Sequence, residues 1–306
     1  MRKKVFVSYS HKQAEWVRDR LCVALMAGGA DVLVDVTRFK AGVALHQQMD
    51  SAQAQADIHL LVLSPDYFAS SFCLHELEQA KATDPGFAKG LIAPVIRVPC
   101  TLPLEFAVPL CVHLADDSAG DRWHQLMQQC GADLGATVPH WLDSLERVQR
   151  LLAARESVHL RVFGSPNWKE LFAAVHRKFD GKLGLVDLNG GHTVSRPGLV
   201  AAILDACGHP SVSVPAPPDD LRELQNRLGN SANGATLEIR RFDRVQDSER
   251  QYREAFFWTL SNLVETRKLT LLIESREVLA ALVPPALAQS SFVTHTKTVE
   301  LRGRGE

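Results

Sequence analysis

An aromatic ring and a carboxylate fall close together in the segment 64–80, SPDYFASSFCLHELEQA. The segment follows an apolar run at 58–63, IHLLVL, which predicts a buried strand, and its own pattern predicts a helix from about Cys73. Phe72 and Glu76 are four residues apart, so a helix places them on neighbouring positions of one face, with Glu76 near its first turn. In open parallel sheets, ligands bind at the edge formed by the carboxyl ends of the strands. A ring that stacks on a base, beside an acid that meets a ribose or a cation, predicts a nucleotide site.

Each of these two side chains could also have a purely structural role. An acid in the first turn of a helix is favoured by the helix dipole, without any catalytic function. Glu78 is the competing acid, and we expect it to face solvent because it lies two positions further round the helix. The alternative for Phe72 is a ring in the core. The apolar stripe that we predict to pack inward comprises Leu74, Leu77 and Ala80.

The composition is that of a globular protein with an ordinary core. The chain has 306 residues, of which 46% are hydrophobic, and a net charge of −1. This length predicts two domains of about 100–200 residues each. The small net charge argues against electrostatic binding to nucleic acid or to an acidic membrane. No apolar run approaches the roughly 18 residues of a membrane span, and polar residues follow the basic start MRKK too soon for a signal peptide. We therefore expect a cytoplasmic protein.

The cysteines and histidines show no spacing typical of a metal site. The six cysteines contain no C-x-x-C pair, and the twelve histidines contain no H-x-x-x-H or H-E-x-x-H pattern. Most of the cysteines lie among apolar residues, which favours buried free thiols over a disulfide framework. The sequence therefore predicts no metal site.

Strand-like and helix-like patterns alternate through the first half of the chain. Strands are predicted at Lys4–Ser8, Asp31–Asp35, Ile58–Ser64, Gly90–Ile96 and Cys111–Leu114, and helices at about Gln13–Ala27, Leu45–Gln55, Cys73–Ala82 and Arg122–Cys130. This alternation predicts a doubly wound parallel α/β sheet of about five strands. We predict a first domain at 1–135, a linker helix at 136–156 and a second α/β domain at 157–306.

The second half also alternates. Strands are predicted at Val158–Val162, Leu183–Leu188, Ala235–Arg240, Leu269–Ile273 and Val293–Leu301, and helices at Trp168–Phe179, Arg196–Cys207, Leu221–Leu228 and Glu249–Lys268. The apolar set of the last helix is predicted to exceed what its own sheet needs and to leave surface for a partner protein.

Four blocks occur in order in the first half: VFVSYS at 5–10, DVLVD at 31–35, TRFKAG at 37–42, and the segment from Ser64 to Glu76. Together they resemble a TIR (Toll/interleukin-1 receptor) domain over roughly 1–135. The last block is similar to the family pattern S-x-x-Y followed by S-x-W-C-x-x-E, with Phe72 in place of the usual Trp. The resemblance implies a flavodoxin-like parallel sheet.

The family includes enzymes that cleave NAD⁺ at the nicotinamide–ribose bond and members that only bind partners. The resemblance implies that Glu76 is the catalytic acid. Arg38 is expected to contact phosphates, with a solvated loop charge as the alternative, and Asp35 to position that loop. The full set of expected substrate-binding residues is Ser8, Tyr9, Asp35, Arg38, Phe72 and Cys73.

The resemblance implies a bacterial-type effector that hydrolyses NAD⁺ to nicotinamide and ADP-ribose, with some cyclised product, in antiphage defence. NAD⁺ is then the substrate, and no separate cofactor is expected. The resemblance also implies self-association through TIR domains, with the loop from Arg38 to Gly42 packing against a neighbour. Two alternatives remain: a non-enzymatic TIR scaffold that binds other proteins, and a nucleotide-gated switch in which the second domain binds ATP.

The second half resembles the core of a P-loop NTPase of the STAND/AAA kind. In that resemblance Leu185–Thr193 stands at the phosphate-loop position, Leu237–Asp243 at the Walker B position and Leu271–Arg276 at the sensor strand. The turn at 189–195, NGGHTVS, has glycines and hydroxyls but lacks the lysine of G-x-x-x-x-G-K-[ST]. We therefore predict a degenerate module that does not hydrolyse ATP and that responds to a protein trigger or partner.

Overall fold

The computed structural model describes residues 2–34, 51, 53–107, 109–163, 168–209, 219–247 and 254–302. The chain forms two compact units, Met1–Leu142 and Asp143–Glu306. The division falls within the helix Val138–Ala153. Asp35, Arg38 and the rest of the loop at 37–42 lie outside the described residues, as does most of the helix predicted at Leu45–Gln55.

The first unit contains a five-stranded sheet. Its strands are Lys4–Tyr9 (β1), Asp31–Leu33 (β2), Ile58–Leu63 (β3), Ile92–Ile96 (β4) and Val112–His113 (β5). They lie in the order β2-β1-β3-β4-β5, and every neighbouring pair is parallel. This is the strand order of a flavodoxin-like sheet, so the predicted fold class is confirmed. All residues of β3 and β4 are buried, as expected for central strands of a parallel sheet that is covered on both faces.

Helices alternate with these strands. The first helix, α1, runs through Ala14–Trp16, a π-helical segment at Val17–Leu21, and Cys22–Ala27. The later helices are Pro65–Phe68 (α2), Ser71–Thr83 (α3), Gly120–Gln129 (α4) and Val138–Ala153 (α5). The helix predicted from Cys73 thus begins two residues earlier, because the Ser70 hydroxyl caps it by accepting a hydrogen bond from the Cys73 N–H.

The second unit contains another five-stranded parallel sheet. Its strands are Val158–Phe163 (β6), Leu183–Asp187 (β7), Ala235–Arg240 (β8), Leu269–Ser275 (β9) and Lys297–Arg302 (β10). Their order is β10-β6-β9-β8-β7, and all neighbouring pairs are parallel. The second α/β domain predicted from the alternating pattern is therefore confirmed. The last strand begins at Lys297 and not at the predicted Val293, because the preceding residues form a short helix.

The helices of the second unit pack around a core rich in phenylalanine. They are Trp168–Phe179 (α6), Arg196–Ala206 (α7), Asp219–Gly229 (α8), Glu254–Glu265 (α9), Leu279–Leu282 (α10) and Ser291–Thr294 (α11). Neighbouring rings of this core have centroids 5.4–6.5 Å apart; the rings belong to Phe242, Phe256, Phe257 and Phe292. We predicted that the apolar residues of α9 leave some exposed surface for a partner protein. This prediction is wrong for the five large apolar residues that form its inner face, because all are buried: Phe256, Phe257, Leu260, Leu263 and Val264. The exposed apolar residue of α9 is Trp258.

The strand order of the second sheet does not agree with the predicted phosphate-loop position. Ligands of open α/β sheets bind at the carboxyl edge where the strand order reverses. In this sheet the reversal occurs at β6, with β9, β8 and β7 on one side and β10 on the other. The turn at 189–195 follows β7, the edge strand, and so lies away from that position.

Candidate functional site

The candidate site lies at the carboxyl ends of β1 and β3, where the strand order of the first sheet reverses. Ser8 and Tyr9 are the last two residues of β1. Ser64 directly follows β3, and its hydroxyl caps α2 by accepting a hydrogen bond from the Tyr67 N–H at 3.1 Å. Pro65 occupies the first position of that helix, where its missing N–H costs nothing. These features fix the turn that leads into α3.

Glu76 lies in the second turn of α3, not in the exposed first turn that we predicted. Because the helix begins at Ser71, Glu76 is its sixth residue, and only 6% of it is exposed. The buried face of α3 comprises Cys73, Glu76, Leu77 and Ala80. Leu74 is 39% exposed, so the prediction that it packs inward is wrong. The inner face of α3 thus carries a carboxylate beside Leu77 and Ala80, the two residues of the predicted stripe that are buried.

The Ser8 hydroxyl bonds the Glu76 carboxylate and is itself bonded to the Tyr67 hydroxyl. The Ser8 hydroxyl donates a hydrogen bond to Glu76 Oε2 at 2.5 Å, and the Tyr67 hydroxyl lies 2.9 Å from Ser8 Oγ. Both Ser8 and Tyr67 are fully buried. Burial raises the pKa of the Tyr67 phenol, only partly opposed by its hydrogen bond with Ser8, so the phenol keeps its proton at neutral pH.

A further layer of polar side chains supports this arrangement. The Gln53 amide donates a hydrogen bond to the backbone carbonyl of Glu76 at 2.7 Å, and the Ser64 hydroxyl donates one to Gln13 Oε1 at 3.0 Å. We did not predict Gln13, Gln53 or Tyr67 as site residues. Tyr67 had a detectable signal, because it is the tyrosine of the S-x-x-Y pattern. The two glutamines had none, since their partners lie far away in the sequence.

The structure brings Ser8, Tyr9, Phe72 and Cys73 to the same region of the first unit. Tyr9 is buried, with its ring edge-to-face against His11 at a centroid distance of 6.4 Å. Phe72 is half-buried, so the choice between a stacking ring and a core ring stays open. Cys73 packs into an apolar cluster with Leu77 and Tyr67. Asp35 and Arg38 lie outside the described residues.

The competing acid of α3 is in a different environment. Glu78 is exposed, and its carboxylate forms an ion pair with Lys81 at 2.8 Å on the surface of the helix. The prediction that Glu78 faces solvent is therefore confirmed. Glu76 and Glu78 thus offer two identical side chains on one helix, one buried at the sheet edge and one in water.

In the second unit, two carboxylates join the loops that follow β8 and β9. Glu274 accepts a hydrogen bond from the Arg241 N–H at 2.6 Å. Asp243 accepts bonds from the N–H groups of Arg276 at 3.0 Å and Glu277 at 3.1 Å. Burial raises the pKa of Glu274, and the hydrogen bond from Arg241 opposes this shift. Asp243 therefore fixes the chain at the position where the NTPase resemblance would place an acid linked to Mg²⁺.

The turn at 189–195 borders a groove of about 780 Å³ between β7 and α7. The lining residues include Asp187 and Asp205, and they include neither lysine nor arginine. Carboxylates repel the phosphates of a nucleotide, so this lining does not favour a triphosphate. Among the residues that the structure describes, no group of three His, Cys, Asp or Glu side chains could hold a metal ion. In the same part of the chain, no helix is long and apolar enough to cross a membrane.

Comparisons with known proteins identify the first unit. Residues 5–129 match the family model for the TIR domain. Among solved structures, the chain is similar to the TIR domain of the Toll-related receptor TRR-2 from Hydra magnipapillata, with 21% identity, a TM-score of 0.38 and coverage of 42% of this chain and 97% of that chain. It is also similar to Drosophila ORC bound to DNA, with 13% identity, a TM-score of 0.41 and coverage of 53% and 90%. No curated protein matches the sequence.

Both TM-scores lie below 0.5, so no property of these two structures is transferred to this chain. The family match includes β1, α2 and α3, the elements that place Ser8, Tyr67 and Glu76. Over residues 5–129, less than half of its length, the chain matches the TIR domain family.

Proposed function

We propose that the TIR domain hydrolyses NAD⁺ to nicotinamide and ADP-ribose, with cyclic ADP-ribose as a second product. One observation carries the proposal: the carboxylate of Glu76 is buried and held 2.5 Å from Ser8 Oγ at the ligand-binding edge of the sheet. A carboxylate removed from bulk water stabilises nearby positive charge more strongly than an exposed one does.

The reaction needs one carboxylate beside the ribose. The bond between ribose C1′ and the nicotinamide nitrogen breaks, and both electrons leave with neutral nicotinamide. The ribose becomes oxocarbenium-like, and Glu76 stabilises the developing charge and holds the ribose hydroxyls, as a carboxylate does in glycoside hydrolysis. Water then adds to C1′ and releases a proton, which completes ADP-ribose. For the cyclic product, an adenine nitrogen takes the place of water.

The other predicted residues take two kinds of role in this proposal. Phe72, half-buried and four residues before Glu76 on α3, stacks on the nicotinamide ring, and Tyr9 lines the cleft. Ser8 and Cys73 act from within the core, where they hold Glu76 and the start of α3. Asp35 and Arg38, which follow β2 in the sequence and lie outside the described residues, are assigned to the same site, with Arg38 contacting the phosphates of NAD⁺.

The proposed biological role is antiphage defence in the bacterial cytoplasm by depletion of NAD⁺. Activity begins when a trigger assembles TIR domains, because a site completed by a neighbouring protomer exists only in the assembly. The second domain recruits the protein trigger or partner. NAD⁺ is the substrate, and no separate cofactor takes part.

The test uses two matched substitutions on one helix. Glu76→Gln keeps the shape and an oxygen that accepts the Ser8 hydrogen bond, but removes the charge. We expect NAD⁺ cleavage to fall by about 10²–10³-fold, the range for loss of one electrostatic contact in a transition state. Glu78→Gln makes the same chemical change in water and should keep wild-type activity.

Nicotinamide release should be followed for both variants over a dilution series that begins at high protein concentration, and thermal melting should be recorded for each. Full activity of the Glu76→Gln variant would overturn the catalytic assignment. Loss of activity in Glu78→Gln alone would transfer that assignment to Glu78. Specific activity that does not rise with concentration would contradict activation by assembly.

A second candidate function is a non-enzymatic TIR scaffold that binds other proteins. The observation that favours it is the exposure of large apolar residues in the loop between β4 and β5, where Leu104 is 89% and Leu110 is 67% exposed. Large apolar residues exposed on one segment are a feature of protein-binding surfaces. A scaffold would leave NAD⁺ intact at every protein concentration, while a Leu104→Asp, Leu110→Asp variant would lose association in light scattering.

A further inference from the structure

The geometry around Glu76 assigns a role to two residues that do not contact substrate. We propose that Tyr67 and Ser8 are positioning residues: Tyr67 orients the Ser8 hydroxyl, and Ser8 holds the Glu76 carboxylate in its reactive orientation. This inference rests on the proposed cleavage of NAD⁺. It adds Tyr67 to the machinery and changes the role of Ser8 from a ligand contact to a support.

The direction of the two hydrogen bonds follows from the donors available. An ionised carboxylate only accepts, so Ser8 must donate its single proton to Glu76 Oε2. The Ser8 oxygen can then only accept from Tyr67, whose phenol stays protonated because it is buried. The chain therefore runs in one direction, from Tyr67 through Ser8 to Glu76, and each bond strengthens the next.

Each member of this chain is fixed by a different element. Ser8 is held in β1, whose neighbours in the sheet are β2 and β3. Tyr67 is held in α2, which is capped by Ser64. Glu76 is held in α3, whose backbone at that residue is bonded by Gln53. These contacts restrict the rotation of the Glu76 side chain, so its carboxylate is held in one orientation.

A packing role alone does not account for the Tyr67 hydroxyl. The Tyr67 ring fills an apolar cluster and makes an edge-to-face contact with Phe68 at 5.6 Å. A phenylalanine ring would fill the same space. A buried hydroxyl needs a partner, and the partner here is the serine that bonds the carboxylate. Tyr67→Phe therefore separates the two roles, since it keeps the ring and removes only the hydroxyl.

The experiment compares turnover in three variants of the full chain. Ser8→Ala should lower kcat by about 10²-fold, the effect of a small misplacement of a reacting group, with KM nearly unchanged. Tyr67→Phe should lower kcat in the same way by a smaller factor. Ser8→Thr keeps a hydroxyl at this position and should recover most of the activity that Ser8→Ala loses. Ser261→Ala is the control, because it removes another buried, hydrogen-bonded hydroxyl in the second unit and should leave turnover unchanged.

The outcomes separate this inference from the proposed function. If the wild type cleaves NAD⁺ while folded Ser8→Ala and Tyr67→Phe keep full kcat, the positioning role is overturned and the cleavage stands. If the wild type does not cleave NAD⁺, thermal melting of Tyr67→Phe, Glu76→Ala and the double variant tests whether Tyr67 and Glu76 are coupled. Non-additive changes in Tm would support coupling from Tyr67 to Glu76 through Ser8, whereas additive changes would overturn it.

Discussion

At the scale of single residues, His159 shows how burial controls ionisation in the second sheet. The side chain is 1% exposed, and its Nε2 lies 2.7 Å from Ser275 Oγ. The Ser275 hydroxyl donates its proton to the Glu277 carbonyl, so it must accept from His159, and the proton of the neutral ring is on Nε2. Burial, together with the smaller effect of nearby Arg161, lowers the pKa of His159 to about 4, while Asp243 opposes the shift.

His159 should therefore make stability depend on pH in a defined window. Below about pH 6.5 the histidine of the unfolded chain binds a proton, whereas His159 in the folded protein stays neutral until about pH 4. The free energy of unfolding therefore falls as the pH drops from about 6.5 to about 4. The full loss is about 3 kcal/mol. Urea unfolding of His159→Gln should lack this part of the decline, whereas the exposed His295→Gln should keep the wild-type profile. Identical profiles for wild type and His159→Gln would contradict the assignment.

The residues of the candidate site were predictable in part. The spacing of the last TIR-like block identified Glu76, because that block carries its acid at a fixed distance from its serine and tyrosine. The spacing did not report depth: α3 begins two residues earlier than predicted, and its buried face includes Glu76. The hydrogen bond between Ser8 and Glu76 could not be predicted from the sequence, because the two residues are 68 positions apart and only the fold brings them together.

At the scale of secondary structure elements, the strands were predictable and their order was not. Runs rich in apolar residues identified β3, β4 and β9, because a strand covered on both faces is buried along its whole length. No local pattern states which strands pair, so the edge position of β7 appeared only in the structure. That position decides whether the turn after β7 can bind a phosphate.

Two helices of the second unit are joined by a buried ion pair. Arg196, at the start of α7, donates two hydrogen bonds to the Asp220 carboxylate at 2.7 and 2.9 Å. Asp220 is fully buried at the start of α8, and it also accepts the Leu221 N–H at 2.9 Å. Removal of one partner leaves an uncompensated charge in the interior.

Arg196→Ala should therefore lower the free energy of unfolding by about 3–5 kcal/mol. The matched control is Arg222→Ala on the neighbouring pair with Asp219, which is 3.3 Å long and solvent-exposed. An exposed pair contributes about 0–1 kcal/mol, so this variant should unfold almost as the wild type does. Urea titrations of both proteins test the difference, and equal effects would show that the Arg196 pair is not buried in solution.

At the scale of the whole molecule, the two units carry different chemistry on similar sheets. The first unit has a buried carboxylate at the reversal of its strand order. In the second unit, the carboxylates after β8 and within β9 bond backbone N–H groups of each other's loops. A carboxylate that is engaged in this way is poorly placed to bind Mg²⁺.

The last prediction follows from this difference: the protein should not hydrolyse ATP. Asp243, after β8, accepts the N–H groups of Arg276 and Glu277, so its carboxylate is already engaged. The turn at 189–195 lacks a lysine and also follows the edge strand β7, away from the reversal of strand order. Calorimetry with ATP, ADP and Mg²⁺ should show no metal-dependent binding, and a phosphate-release assay should stay at background. Asp243→Asn keeps one side-chain oxygen in the place of Oδ1, which accepts both N–H groups, so it removes charge without opening the loop. The exposed Asp247→Asn is its control. Phosphate release that disappears in Asp243→Asn and persists in Asp247→Asn would restore a nucleotide-driven switch.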